Sequence, residues 1–176
     1  MNAYNCESIS IVVDPQDARR YAVGRRLAAG VNGTPRLTAD PAYEDTMGVM
    51  GEVAFSRWSG LTADLVPRPS GDGGFDFSVM VATRTLTIDV KTSRKPINLL
   101  LKCNSVSKCA DILVFAHVLD AEVRFLGWEH KSMMLISPVD DFGYGFAMRC
   151  HYRHNTELRP MWQLKKLIER HEVREL

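Results

Sequence analysis

The chain has almost no net charge. Its 22 Lys and Arg against 21 Asp and Glu leave +1 at pH 7, so bulk charge selects no partner. It is poor in cysteine. Cys6, Cys103, Cys109 and Cys150 are few and widely spaced, which suits reduced thiols and predicts a cytoplasmic setting. It lacks a long hydrophobic run: the densest, around Ile112 to Leu119, falls short of the roughly 20 residues a membrane helix needs, so no membrane partner is expected. The opening MNAYNCESIS lacks the charged-then-apolar order of a signal peptide. No repeat, low-complexity tract or Pro/Gly-rich linker divides the sequence, and 176 residues suffice for a proper core, so one domain over 1–176 is expected. No motif supports a Ser or Cys nucleophile, and SGDGG has no Gly-Lys-Ser/Thr ending to make it a phosphate loop.

What is present reads as a mixed α/β pattern. SISIVV at 8–13 suits a short strand. Asp14-Pro15 and Asp40-Pro41 are helix starts, an acid to cap free amides followed by a proline that fits the first turn. They predict helices over about 15–29, stopping at Gly30, and 41–59, the second with an apolar stripe of Tyr43, Met47, Met50, Ala54 and Trp58. Residues 75–82 and 85–92 alternate as strands, 111–118 is a dense apolar run suited to a buried strand, and 122–128 suits another. Met161, Leu164, Leu167 and Ile168 carry helical spacing after Pro160. This order predicts a mixed central β-sheet flanked by α-helices on both sides.

The two alternating strands hold a contradiction. Phe75, Phe77, Val79 and Val81 line one face of the first, and Leu86, Ile88 and Val90 one face of the second; Asp76, Asp89 and Lys91 lie on the other face. With a two-residue turn at Thr83–Arg84, Asp76 is expected opposite Lys91 and Ser78 opposite Asp89, with the charged groups within about 5 to 8 Å of one another at their β-carbons. Two carboxylates so close repel, and burial sharpens the repulsion. A divalent cation resolves it, because carboxylate oxygens are the ligands Mg²⁺ takes, with water and substrate phosphate completing the shell. A neighbouring lysine orients a water or stabilises charge building on a phosphate. The plainer alternative is a cross-strand ion pair between Asp76 and Lys91.

Other residues admit two readings in the same way. From Phe77 to Ala110 there are six basic residues, Arg84, Lys91, Arg94, Lys95, Lys102 and Lys108, against the single acid Asp89, an excess suited to phosphate or to a solvated face. On the second helix Glu52 sits nearly opposite the apolar stripe, with Gly48 and Ser56 on its own face: either an exposed glutamate or one given room to reach the sheet. Asp72 rivals Asp76 but lies in a Gly-rich loop, where Asp serves turns. Cys103, Cys109, Cys150, His151 and His154 match zinc-ligand spacings poorly, and His117 in the apolar strand reads as a packed residue.

GDGGFDF followed by TIDVKT resembles the PD-(D/E)xK nuclease superfamily. Asp76 stands where the first motif has its acid, Asp89 and Lys91 where the second has its acid and lysine, and Gly48-Val-Met-Gly-Glu52 is similar to the Gly-x-x-Gly-Glu of the first core helix. Phe75 stands where the motif name has proline. The likeness spans about residues 44–128, and the Gly-rich approach is similar to that of Holliday-junction resolvases and phage nucleases. It implies a restriction-endonuclease-like α/β core and a Mg²⁺-dependent deoxyribonuclease, with Mn²⁺ as a substitute. It implies Asp76, Asp89, Glu52 and the Val90 carbonyl as metal ligands, and Lys91 as the group that positions water or stabilises the pentavalent phosphorus. Arg94, Lys95, Lys102 and Lys108 become candidates for the DNA backbone, and a branched substrate and a homodimer belong to the same picture. A nuclease-like factor that grips DNA or a protein without cutting is the alternative.

Overall fold

The helix that carries Glu52 is held at both ends, and the rest of the fold is arranged around it. Asp40 caps it, its carboxylate accepting from the Tyr43 amide at 3.1 Å. At the other end Gly60 turns left-handed (φ 87°) and Lys165 donates to the carbonyls of Trp58 and Ser59 at 3.1 and 3.0 Å, groups that the helix itself leaves unpaired.

In the computed structural model, residues 9–29, 40–63, 74–81, 83–143, 145 and 149–172 are described. In order they form β1 (Ile9–Val12), α1 (Pro15–Ala29), α2 (Pro41–Ser59), β2 (Phe77–Val81), β3 (Arg84–Ser93), β4 (Asn98–Lys102), a 3₁₀ segment (Cys103–Lys108), β5 (Ile112–Leu119), β6 (Glu122–His130), α3 (Lys131–Leu135), β7 (Val139–Asp140), β8 (Cys150–His154), a short 3₁₀ turn (Asn155–Glu157) and α4 (Met161–Glu172). The elements expected from periodicity are present, with ends displaced by a residue or two. The expected stop at Gly30 lies outside the described residues. None of the helices is long and apolar enough to cross a membrane.

The architecture is mixed α/β. Five strands form one sheet in the order β1-β6-β5-β3-β2, antiparallel except where β3 and β5 run parallel. On one face, α1, α2 and α4 bury Ala18, Ala22, Met50, Phe55, Leu164 and Ile168 against Ile88, Val90, Ile112 and Val114. The other face departs from the expectation of helices on both sides. It carries a second, three-stranded sheet, β4-β8-β7, and the five-residue α3. Leu99 and Leu101 of β4 pack there with Leu113 and Phe115 of β5 and Met134 of α3. The five-residue NLLLK alternates buried and outward residues, but it is short and sits inside a basic run, so the charge pattern masked the strand period.

Helix α2 lies close against β3 because of one glycine. A β-carbon on Gly51 would fall well inside contact distance of the Thr92 methyl and 3.2 Å from Val90 Cγ1. One helical turn away, a β-carbon on Gly48 would meet nothing within 4 Å. The two glycines therefore separate by substitution. Gly51→Val is expected to lose about 1–3 kcal/mol through overpacking, whereas Gly48→Ala is expected to gain up to about 1 kcal/mol of helix propensity. Urea unfolding midpoints of the two variants check both signs.

Candidate active site

Strand β2 pairs with only the first half of β3. The ladder runs from Val81↔Arg84 to Phe77↔Ile88, and β3 continues to Ser93 without it. Asp76 stands where β2 gives way. Its amide donates to the Ile88 carbonyl at 2.9 Å, and its carboxylate accepts from the Val90 amide at 2.7 Å, taking the place of the next ladder carbonyl. A strand residue sends its N–H and C=O to the same side. The Val90 carbonyl therefore faces this same edge, which β2 does not cover.

The expected register is corrected here. The ladder pairs Val81 with Arg84, so the turn is not Thr83–Arg84, and the Asp76 amide reaches the Ile88 carbonyl, so Asp76 does not stand opposite Lys91. Both registers bury Phe77 and Val79 beside core residues, because they differ by an even number of residues and no side chain changes face. Hydrophobic pattern could not choose between them, and the turn lacks the Gly or Asn that would have marked it.

Alternation along β3 divides its side chains between the two cores. Leu86, Ile88 and Val90 join the helix side; Asp89 and Lys91 leave on the other face, in register with Leu113 and Phe115 of β5. Asp89 is 8% exposed and ion-paired with Lys91. Burial depresses the Lys91 ammonium, but the carboxylate of Asp89, with that of Asp76 behind it, outweighs burial and raises it overall. The Cys109 thiol borders the same corner: burial and Asp89 push it up, against Lys131 and Lys91. Lys131 itself donates to the Cys109 carbonyl at 3.2 Å.

Glu52 approaches from the opposite face. It is 6% exposed, because α2 is covered on both flanks, by the sheet and by α1. Ala18 and Ala22 of α1 are buried, and Arg25, next on the same stripe, donates to both oxygens of Glu52 at 2.8 and 2.7 Å. Removing one partner from such a buried bidentate pair typically costs about 3–5 kcal/mol. Arg25 was not foreseen. The i, i+4, i+7 spacing of Ala18, Ala22 and Arg25 was the available signal.

Asp76 is the point where these groups meet. Burial first, then the carboxylates of Glu52 and Asp89, hold its carboxyl well above the ordinary range; the Val90 amide and Lys91 pull the other way without balancing them. Glu129 shows the contrast. It is 2% exposed, yet its carboxylate accepts from Arg153, Arg159 and the His130 amide at 3.1, 3.0 and 2.9 Å. That acid is a structural pin with cations on both oxygens, whereas Asp76 has acids for neighbours.

The basic candidates separate. Lys108 ends the 3₁₀ segment, and its carbonyl lies so close to Gly74 (φ 90°) that a β-carbon there would collide with it, which brings Lys108 beside the approach to Asp76. Arg94 and Lys95 follow the end of β3, with the Arg94 guanidinium 5.5 Å from the Tyr43 ring centre at the start of α2. Lys102 goes to the second sheet, paired with Cys150. The five zinc candidates do not converge. Cys103 is exposed, Cys150 is buried in β8, His151 approaches the Ser137 carbonyl and His154 caps the turn at Asn155–Glu157. Asp72 lies outside the described residues. His117 is partly buried on β5, in register with Arg124.

Among the described residues no three His, Cys, Asp or Glu side chains form a finished ligand set. The donors at the edge of β3 nonetheless fit a hard cation in kind: Asp76 and Asp89 supply carboxylate oxygens, Val90 a carbonyl, and Asp76 has a charge that burial and its neighbours oppose. Glu52 fits only if Arg25 yields its oxygens. No protein-family model, no curated protein and no solved structure matches the chain.

The raised Asp76 carboxyl has a consequence for stability. Between the unfolded carboxyl range, near about 4, and its own higher folded value, the native state binds more protons than the unfolded one. Stability therefore falls as pH rises through that window. Asp76→Asn removes the titration while its amide oxygen can still accept from Val90. Without metal, the variant is expected to melt above the parent at neutral pH, with the gap closing as pH falls towards about 4. Thermal melts across a pH series in chelator check it.

Proposed function

We propose that this protein is a Mg²⁺-dependent nuclease that hydrolyses phosphodiester bonds in DNA, on a restriction-endonuclease-like core. The observation that carries the reading is Asp76. A partly buried carboxyl stands at the edge of β3 where β2 ends, hydrogen-bonded to the Val90 amide and crowded by Glu52 and Asp89, with Lys91 beside Asp89. A charge so opposed is what a divalent cation relieves. An antiparallel strand pair beside a parallel third strand, with Glu52 brought in by a helix, is an arrangement consistent with the motif likeness.

Mg²⁺ bound here supplies Lewis acidity and a lowered pKa for water. The chain's own groups do the rest. Asp76 and Asp89 hold the ion, with Val90 offering its carbonyl. The Val90 amide fixes Asp76 in place. Lys91, its side chain partly exposed, is placed to orient a water or meet a phosphate oxygen. Lys108, beside Gly74, is the candidate nearest the approach to Asp76 for holding the DNA backbone.

A second reading has an observation of its own. Arg25 engages both oxygens of Glu52 and Lys91 engages Asp89, so the acids already have counter-ions. That pairing favours a nuclease-like factor that binds without cutting. Plasmid nicking with Mg²⁺ or Mn²⁺ against EDTA separates the two: retention without nicking supports the silent factor.

In the nuclease, Lys91→Ala is expected to keep Mn²⁺ and DNA binding and to lose about 10²- to 10³-fold in cleavage rate. Asp89→Asn is expected to lose the metal first and cleavage with it. Single-turnover rates alongside Mn²⁺ titrations check the split; near-parental cleavage by Asp89→Asn defeats the assignment. Lys108→Ala is expected to weaken binding to all DNA sequences alike and to flatten its salt dependence, by about one unit of slope for each phosphate left without its cation. Lys102→Ala, on the second sheet, should do less. Binding across a salt series reads both.

A further inference from the structure

We infer that Arg25 is a counter-ion latch on the carboxylate site, holding Glu52 through both oxygens until a divalent cation takes its place. The inference rests on the cation reading above and adds the regulation of that site. Arg25 and Glu52 form a fork-to-fork pair at 2.8 and 2.7 Å, with side chains 23% and 8% exposed. A guanidinium brings one positive charge and fixed donors but cannot coordinate; a divalent ion brings two charges and draws its oxygens to about 2.1 Å. The same two oxygens cannot serve both in full.

Among the described residues a β-carbon at Gly48, one turn from Glu52, would meet nothing within 4 Å, and the Arg25 side chain already borders solvent, which leaves space for the exchange.

The test is Mn²⁺ affinity of the full chain without nucleic acid, by calorimetry, with melts in chelator beside it. Arg25→Ala is expected to bind Mn²⁺ about ten- to a hundredfold more tightly, because its acids lose their competitor, and to melt lower without metal. Arg25→Lys keeps the charge but loses the fork, and is expected to fall between parent and Arg25→Ala in affinity. It also decides the matter if Arg25→Ala does not fold. Affinity that is unchanged or weaker in these variants, with a parent that binds Mn²⁺, overturns the latch and leaves the cation reading standing. If the parent and both variants bind no Mn²⁺, the cation reading falls and the latch with it. If only the variants bind, the latch holds.

Discussion

The edge of β3 is organised by the crowding of one carboxyl among others. Asp76 is partly withdrawn from water at the point where β2 stops, with the acids Glu52 and Asp89 as neighbours. In a low-dielectric setting such repulsion is screened little, and each negative group must find a proton, a cation or a hydrogen-bond donor. The chain answers with all three: a raised proton affinity at Asp76, Lys91 and Arg25 on its neighbours, and the Val90 amide on Asp76 itself. The pair around Glu129 shows that this fold can satisfy a buried acid with two arginines. At the edge of β3, by comparison, Asp76 has acids among its nearest described charges, and that crowding is the physical basis of the functional reading.

Rigid elements hold the groups in this arrangement. Asp89 and Lys91 ride on β3, which pairs with β2 over its first half, Arg84 to Ile88, and with β5 over its second, Ile88 to Ser93. Glu52 arrives from the other face on a helix capped at both ends and pressed onto β3 through Gly51. Gly74 lets the chain pass the Lys108 carbonyl on its way to Asp76, a close approach in a left-handed conformation that only glycine makes without strain. The adjustable parts are side chains with a choice of partner: Arg25, Lys91 and the proton on Asp76. Backbone precision with exchangeable counter-ions is the combination a site needs if it is to change its charge without unfolding.

Local sequence determined most of the elements here and the grouping of the strand acids. Asp-Pro helix starts, alternation in 75–82 and 85–92, and helical spacing after Pro160 are properties of short stretches, and the corresponding elements formed, the two strands as Phe77–Val81 and Arg84–Ser93. The common face of Asp89 and Lys91 was legible because a period of two survives any even error in register. Three things were decided only in three dimensions. The place of Asp76, between the Ile88 carbonyl and the Val90 amide, came with a ladder two residues away from the expected one, a choice that hydrophobic pattern left open. The second sheet, far apart in sequence between β4 and β8, came from long-range pairing that no single segment signals. Arg25 came to Glu52 because α1 and α2 pack together, and two residues 27 positions apart share a site only when that packing is made. Periodicity reports which face a residue takes; only the packed fold decides which charges must share the dry space that face encloses.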